Sequence, residues 1–300
     1  MDWKTKLLES FSGIQFQLDE PMVRHTTFKI GGPAEVYVEP TIKEAVELIT
    51  YCRSEKIAYT ILGNGSNVLV SDAGLEGVVI SFGKAASGIA IDGKMIVAEA
   101  GALLSQVANA AAKEALTGLE FAAGIPGTIG GALMMNAGAY GGEMNQVVVS
   151  ADVLLSDGSV FTWTREKLQL SYRHSRMMEE EAIVLRAVLA LAPGNATDIK
   201  EMMEDFRGRR QDKQPLQYPS AGSTFKRPEG YFAGKLVMDA GLAGYRVGGA
   251  AVSDKHCGFV INADHATAND VYQLMQDVSE KVKQQFGVVL EPEVRFLGKF

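Results

Sequence analysis

The stretch Phe121-Ala-Ala-Gly-Ile-Pro-Gly-Thr-Ile-Gly-Gly-Ala-Leu-Met-Met-Asn-Ala-Gly-Ala-Tyr-Gly-Gly142 runs 22 residues without a charge. That length could cross a bilayer, and Gly127 and Gly131 stand at the helix-dimer spacing. Seven of the residues are glycine, however, and Pro126, Thr128 and Asn136 interrupt the rest. Bulky apolar side chains are too few to drive insertion. The stretch reads instead as a buried or ligand-facing loop.

Glycine makes up 32 of 300 residues, about 11% against a usual ~7%. The surplus gathers in this segment and in Gly63-Asn-Gly-Ser-Asn67. Glycines let backbone N–H groups approach phosphate oxygens, and successive N–H groups in a turn form an anion nest. Neither common phosphate motif is present. In the dinucleotide fingerprint, the third glycine would stand at position 68, which is Val68, and a strand follows where a helix is needed. The P-loop fails as well, because Gly83-Lys84 precedes Ala85 and Gly234-Lys235 precedes Leu236. The two loops point to a phosphate-bearing ligand held in some other way. Plain turn glycines are the competing reading.

Composition narrows the class. With 29 basic and 36 acidic residues, the net charge is −7, against a dedicated nucleic-acid binder. Hydrophobic content of 47% suits a globular chain with real cores. Two cysteines, Cys52 and Cys257, exclude a disulfide scaffold and a metal site built from four cysteines. The four histidines, His25, His174, His256 and His265, lack metal spacing, so no metal is expected. The opening Met1–Phe11 carries Asp2 and Glu9 and lacks a long apolar core, unlike a secretory signal. A cytoplasmic location is the expectation, which makes the Asn195-Ala-Thr197 sequon incidental.

Thr41-Ile-Lys-Glu44 is a capping box, and Ala45, Val46, Leu48, Ile49 and Cys52 follow at helical spacing, so a helix should run to about Glu55. Strands are expected at Tyr59–Leu62, Val68–Val70, Val78–Phe82 and Ile183–Leu191. Asp92-Gly93 and Asp157-Gly158 mark hairpin turns. Leu103–Leu116 should be helical, with Gly118 as its C-terminal cap. Beyond Pro193–Asn195, the expected domain boundary, come helices at Thr197–Gln211, Tyr231–Ala240 and Thr267–Phe286. A strand over Val288–Leu297 closes the chain. Short strands and hairpins interspersed with helices make the fold class α+β.

Local chemistry is thin. Ser66 and Asn67 could donate to a pyrophosphate or simply complete a turn. Arg173 lies between apolar stretches and locally reads as a surface charge. Ser223 follows Ala221-Gly222, which is not a nucleophile elbow. Glu291, Glu293 and Arg295 alternate, so they share one strand face, as in an exposed salt-bridged edge. No Ser/His/Asp order or paired-carboxylate spacing emerges. The residues alone describe a phosphate-ligand binder, with an enzyme preferred.

Taken together, six segments resemble one family, the UDP-N-acetylenolpyruvoylglucosamine reductases. They are His25-Thr-Thr-Phe-Lys-Ile-Gly-Gly-Pro33, Leu62-Gly-Asn-Gly-Ser-Asn-Val-Leu69, Gly124-Ile-Pro-Gly-Thr-Ile-Gly-Gly131 with Asn136-Ala-Gly138, Tyr172-Arg-His-Ser175, Ala221-Gly-Ser-Thr-Phe-Lys226 and Leu290-Glu-Pro-Glu-Val-Arg295. Each is weak alone, but six in this order are specific. The resemblance implies an FAD-binding fold of the vanillyl-alcohol-oxidase type in two subdomains, plus a C-terminal α+β substrate domain. The implied segments are 1–85 joined by 288–300, then 86–195, then 196–287. Gly63, Asn64, Gly65, Ser66, Asn67, Ile125, Pro126, Gly127, Thr128, Gly130, Gly131, Asn136 and Gly138 become FAD-binding positions. His25 is not evidently a covalent anchor, so noncovalent FAD is expected. From Arg173 to Ser223 is 50 residues, too few for the tyrosine-bearing lid loop of the family's longer form. The short form is expected.

The implied reaction is NADPH-dependent reduction of the enolpyruvyl ether of UDP-N-acetylglucosamine enolpyruvate to UDP-N-acetylmuramate, in peptidoglycan synthesis. Hydride arrives at C3 of the enolpyruvyl group and negative charge builds at C2 and the carboxylate. By motif match, Arg173 and Glu293 hold that carboxylate and Ser223 protonates C2, with Lys213 or Lys226 supporting its alkoxide. Glu293 must carry or share a proton to face a carboxylate, since two bare carboxylates repel. Lys213, Arg227, Arg246, His256 and Arg295 are the candidates for binding the UDP-sugar. Two alternatives stay open. A same-fold flavin oxidase would not consume NADPH in response to the enolpyruvyl sugar. A non-catalytic UDP-sugar binder would be colourless.

Overall fold

The computed structural model describes residues 2–300. Two compact units account for them: residues 2–17, 36–64 and 77–210 form the first, and residues 18–35, 65–76 and 211–300 the second.

The first unit is built on a five-stranded antiparallel sheet. Its order is Val160–Thr164, Val148–Leu154, Ile183–Ala190, Met95–Glu99, Ile89–Asp92. Both Asp-Gly turns fall where expected. Asp92 pairs with Met95 around Gly93, which takes φ +56°, and Leu155 N–H donates to Ser159 O around Gly158. Along Ile183–Ala190 the buried side chains of Val184, Leu185, Ala187 and Leu189 join the core from Ala98, Ala151 and Trp163. Tyr59–Leu62 pairs in parallel with Leu75–Ser81, Tyr59 opposite Val78. Helix Ile42–Ser54 begins at the predicted capping box: Thr41 N–H donates to Glu44 Oε2 at 2.8 Å and Glu44 N–H to Thr41 Oγ1 at 3.4 Å. The Thr41 N–H, joined by the Thr41 hydroxyl donating to the same oxygen, holds the Glu44 carboxyl below the usual range, and Ala45, Leu48, Ile49 and Cys52 face inward.

The uncharged stretch is an irregular connection, as its glycines required. A turn at Glu120–Ala122 leads into it, and it holds a six-residue helix at Ile129–Met134 and a small hairpin in which Ala139 pairs with Gly142. Among the described residues no helix is long and apolar enough to cross a membrane.

The second unit has its own core, centred on Phe28, Leu69, Val237, Val271, Leu274 and Val278. It contains the sheet Arg246–Val247, Ala250–Val252, Val260–Asn262 and helix Ala268–Phe286, capped at Thr267 and ended by Gly287 at φ +70°. Arg295–Leu297 pairs in parallel with Val68–Val70. The Asp72 carboxylate accepts from Ala268 N at 2.8 Å and Asn269 N at 3.0 Å, tying this strand connection to the positive end of the helix. Replacing Asp72 with Ala should cost about 1–2 kcal/mol, seen as a lower denaturant midpoint at unchanged slope. An unmoved midpoint would show the cap to be dispensable.

Four expectations change. The chain groups as two units where three segments were expected, with residues 18–35 and 65–76 joining the C-terminal part. Phe28, Ile30 and Leu69 are core residues of the second unit, which the linear order of segments did not reveal. The expected boundary at Pro193–Asn195 moves into helix Ala196–Lys213, because Ile199 and Met203 are buried in the first core. Gly118 is not a helix cap. Helix Leu104–Lys113 stops earlier, and Leu116–Thr117 pairs with Ala192–Pro193. The closing strand is only Arg295–Leu297, since Pro292, without an N–H, makes just an isolated bridge to Phe225.

Candidate functional site

Within the first unit the two glycine loops meet. Asn64 Nδ2–H donates to Pro126 O at 2.7 Å. Gly63 packs so closely that a Cβ there would lie 2.5 Å from Thr128 Oγ1. Thr128 is buried and caps the short helix, its Oγ1 accepting from Gly131 N at 3.4 Å. Gly130 sits on Ala100, where a Cβ would come within 3.2 Å of the alanine methyl. Gly124, Pro126 and Gly131 remain exposed, so backbone here is open to a ligand.

Asn136 is the most unusual residue of this loop. It is 2% exposed, adopts φ +42°, and its Oδ1 accepts from Asn145 N at 2.9 Å. Its Nδ2 is buried with no hydrogen-bond partner. A buried unsatisfied donor costs about 1–3 kcal/mol, and native structures keep few of them without a reason.

Arg173 occupies the tip of a tight turn in which Ser171 and His174 exchange backbone hydrogen bonds at 3.1 and 3.2 Å. Its φ of +54° is rare for a residue with a side chain, and its guanidinium lies over the Tyr172 ring, 5.2 Å from the centroid. Ser175, fully buried, fastens this turn to the helix before Asn136 by donating from Oγ to Met134 O at 2.9 Å. One side chain passed over in the sequence also reaches the loop: Arg210, whose Cδ lies 3.3 Å from the position of a Cβ on Gly124.

In the second unit, Gly65, Ser66 and Asn67 belong with the His25–Pro33 motif. Gly65, at φ +59°, approaches so closely that a Cβ would lie 2.0 Å from His25 O. His25 itself bonds through Nε2 to Glu20 Oε1 at 2.9 Å. Asn67 is an anchor for the C-terminal segment: its Nδ2–H donates to Glu293 O at 3.1 Å and its carbonyl accepts from Arg295 N at 3.0 Å. Ser223 is exposed beside the buried Thr224. Thr224 bonds to Gly258 O and to Val260 N, and its carbonyl accepts from Glu293 N at 2.8 Å. Ser223 and Glu293 are thereby held on adjacent backbone, and the buried Val294 leaves Glu293 and Arg295 on the other face.

The expected cations of this unit differ in kind. Arg295 and Arg246 are exposed, Lys213 ends its helix, and Arg227 lies over Phe232 at 4.4 Å. Lys226 pairs with Glu291 at 3.1 Å. His256 Nδ1 accepts from Gly258 N at 3.1 Å, so the neutral ring carries its proton on Nε2. Burial lowers the pKa of this ring, which favours the neutral form; His256 would offer a ligand a hydrogen bond more readily than a charge.

Residues 214–297 match the family described as UDP-N-acetylenolpyruvoylglucosamine reductase, C-terminal domain, and residues 34–164 match the FAD binding domain. A protein of Agathobacter rectalis named UDP-N-acetylenolpyruvoylglucosamine reductase is 53% identical over 294 residues, covering 94% of each chain. One of the same name from Caldanaerobacter subterraneus is 51% identical, covering 98% of this chain and 97% of its own. The crystal structure of UDP-N-acetylenolpyruvylglucosamine reductase from Thermus caldophilus superposes with a TM-score of 0.80 at 33% identity, over 95% of this chain and 99% of that one. A solvent-stable cholesterol oxidase, at 16% identity and a TM-score of 0.50, covers 61% of this chain and 38% of its own, a likeness of fold alone.

Proposed function

The chain belongs to the UDP-N-acetylenolpyruvoylglucosamine reductase family, and from that membership we propose that it reduces UDP-N-acetylglucosamine enolpyruvate to UDP-N-acetylmuramate. The reductant is NADPH, the cofactor noncovalent FAD, and the setting peptidoglycan precursor synthesis in the cytoplasm. The observation that carries the reading is family membership over nearly the whole chain. The site supports it. The unpartnered Nδ2 of Asn136 stands at the end of a glycine loop whose exposed backbone suits a large ligand with many acceptor atoms, and the chemistry of that donor fits FAD.

FAD supplies the hydride transfer that links the nicotinamide to the vinyl ether. The chain's own residues do the rest. Gly63, Asn64, Gly65, Ser66 and Asn67, with Ile125, Pro126, Gly127, Thr128, Gly130, Gly131, Asn136 and Gly138, hold the cofactor. Once C3 of the enolpyruvyl group has gained hydride, the electron pair rests on C2 and its carboxylate. Arg173 stabilises that charge; a fixed cation works best where charge develops. Its left-handed backbone, anchored through Ser175, supports this role, because strain of that kind persists where surrounding structure enforces it. Glu293 holds the same carboxylate in its protonated or proton-sharing form. Ser223 gives its hydroxyl proton to C2 and completes the product. Lys213, Arg227, Arg246, His256 and Arg295 bind the UDP-sugar.

Arg173→Ala should slow turnover of the enolpyruvyl sugar about 10²–10³-fold with FAD content unchanged. A loss of FAD in step with activity would assign Arg173 to the cofactor instead. The reading as a whole is tested on the purified protein, which should be yellow, release free FAD on denaturation and, beyond the one equivalent that reduces its flavin, turn NADPH over only when the enolpyruvyl sugar is added. Colourless protein that takes up no FAD, or NADPH oxidation indifferent to the sugar, would refute it.

A further inference from the structure

Helix Ala196–Lys213 places Ile199, Met203, Phe206 and Arg210 at steps of four, three and four residues, one stripe along the helix. Ile199 and Met203 are buried in the first core and Phe206 packs against it. Phe206 also stacks on Tyr140 of the glycine segment, with ring centroids 4.5 Å apart and planes at 12°. Arg210 therefore ends an apolar stripe, one turn past an aromatic stack, with Cδ and Nη1 3.3 and 3.8 Å from the Cβ position of Gly124. Neighbouring Arg209 pairs with Asp205 at 2.8 Å. Arg210 has neither an ion pair nor a hydrogen-bond partner for its side chain among the described residues. Burial pushes its pKa down, so the guanidinium is partly stripped of water without a counter-charge, which is costly unless an anion arrives. The same glycine segment holds another unpartnered donor, the buried Asn136 Nδ2.

We propose that Arg210 is a cofactor-binding residue whose guanidinium receives an anionic group of bound FAD, either the pyrophosphate or the isoalloxazine ring once reduction has given it negative charge. The inference rests on the flavin reading above. The two anions differ in when they act: the pyrophosphate is charged in both redox states, the ring only after reduction.

The test uses the holoenzyme, with FAD dissociation followed by flavin fluorescence and the two-electron midpoint potential by dye equilibration. Arg210→Met should raise the FAD dissociation constant about 10–100-fold if the partner is the pyrophosphate. If the partner is the ring, oxidised FAD stays bound within about threefold of the native affinity. The potential then falls by about 30 mV or more, a tenfold loss for a two-electron couple. Arg210→Lys, which keeps the charge, should lose less than Arg210→Met, and Arg209→Gln should lose nothing. If Arg210→Met does not fold, Arg210→Gln carries the same comparison. Native affinity together with native potential in the neutral variant would overturn the proposal. So would a lysine variant as impaired as the methionine one, since packing and not charge would then be at work. Native protein that binds no FAD would overturn the flavin reading itself and this inference with it.

Discussion

Ser223→Ala should leave bleaching of the flavin by NADPH at its native rate and slow reoxidation by the enolpyruvyl sugar about 10²–10⁴-fold, the range for loss of a general acid. The asymmetry follows from where the proton goes. Reduction by NADPH asks nothing of the substrate's C2, whereas the second half-reaction ends with a proton delivered there. The scaffold around Ser223 is independent of its hydroxyl. Thr224, through its amide, its carbonyl and its Oγ1, makes the bonds that hold this segment, and Ser223 itself is exposed. The variant should therefore fold and keep its FAD. Equal slowing of both half-reactions would mean that the serine supports the flavin site and not the proton transfer.

Gly65→Ala should be among the most damaging single methyl additions in the protein. Its Cβ would lie 2.0 Å from His25 O and 2.9 Å from Thr26 Cα, and both are backbone atoms that no side-chain rotation can clear. The segment cannot simply back away, because Thr27 N–H bonds to Gly65 O at 3.1 Å. The φ of +59° adds left-handed strain of its own. Together these should cost about 2–5 kcal/mol. Gly93 separates the two effects, for it has nearly the same φ, +56°, with nothing within 4 Å of its Cβ position. Gly93→Ala should lose only about 1–2 kcal/mol from backbone strain. Denaturant midpoints measured side by side give the comparison. Equal losses at the two positions would mean that the loop shifts freely and that the close approach of residue 65 to the His25 motif has no energetic weight.

Local rules were legible in the sequence wherever a few neighbouring residues decide the outcome. The Thr41–Glu44 capping box, the two Asp-Gly hairpins and helix Ala268–Phe286 all form where their residues indicated. The uncharged glycine segment was legible as irregular chain, and it meets the Gly63–Asn67 loop through Asn64 and Pro126. What escaped was set by distant partners. Nothing near Leu116 announces its pairing with Pro193, which ends the preceding helix early. Nothing in residues 65–76 shows that Leu69 completes a core built mainly from residues beyond 220. Asn67 could be read as a pyrophosphate donor or a turn residue, and neither reading shows that its side-chain amide and carbonyl secure the Glu293 segment. Arg210 left a signal that could have been used: a lone arginine in the apolar stripe Ile199, Met203, Phe206. Charged helices hide such positions, because a buried arginine and a solvated one look alike until the stripe is traced.

A single anaerobic turnover separates the reductase chemistry from its alternatives. Protein as purified is reduced with one equivalent of NADPH until its visible flavin band is bleached, and UDP-N-acetylglucosamine enolpyruvate is then added without air. The band should return in full, with one UDP-N-acetylmuramate formed per flavin. A band that stays bleached with the sugar and returns only on admitting oxygen would contradict the proposed reaction, and would mark the protein as a flavin oxidase of the same fold.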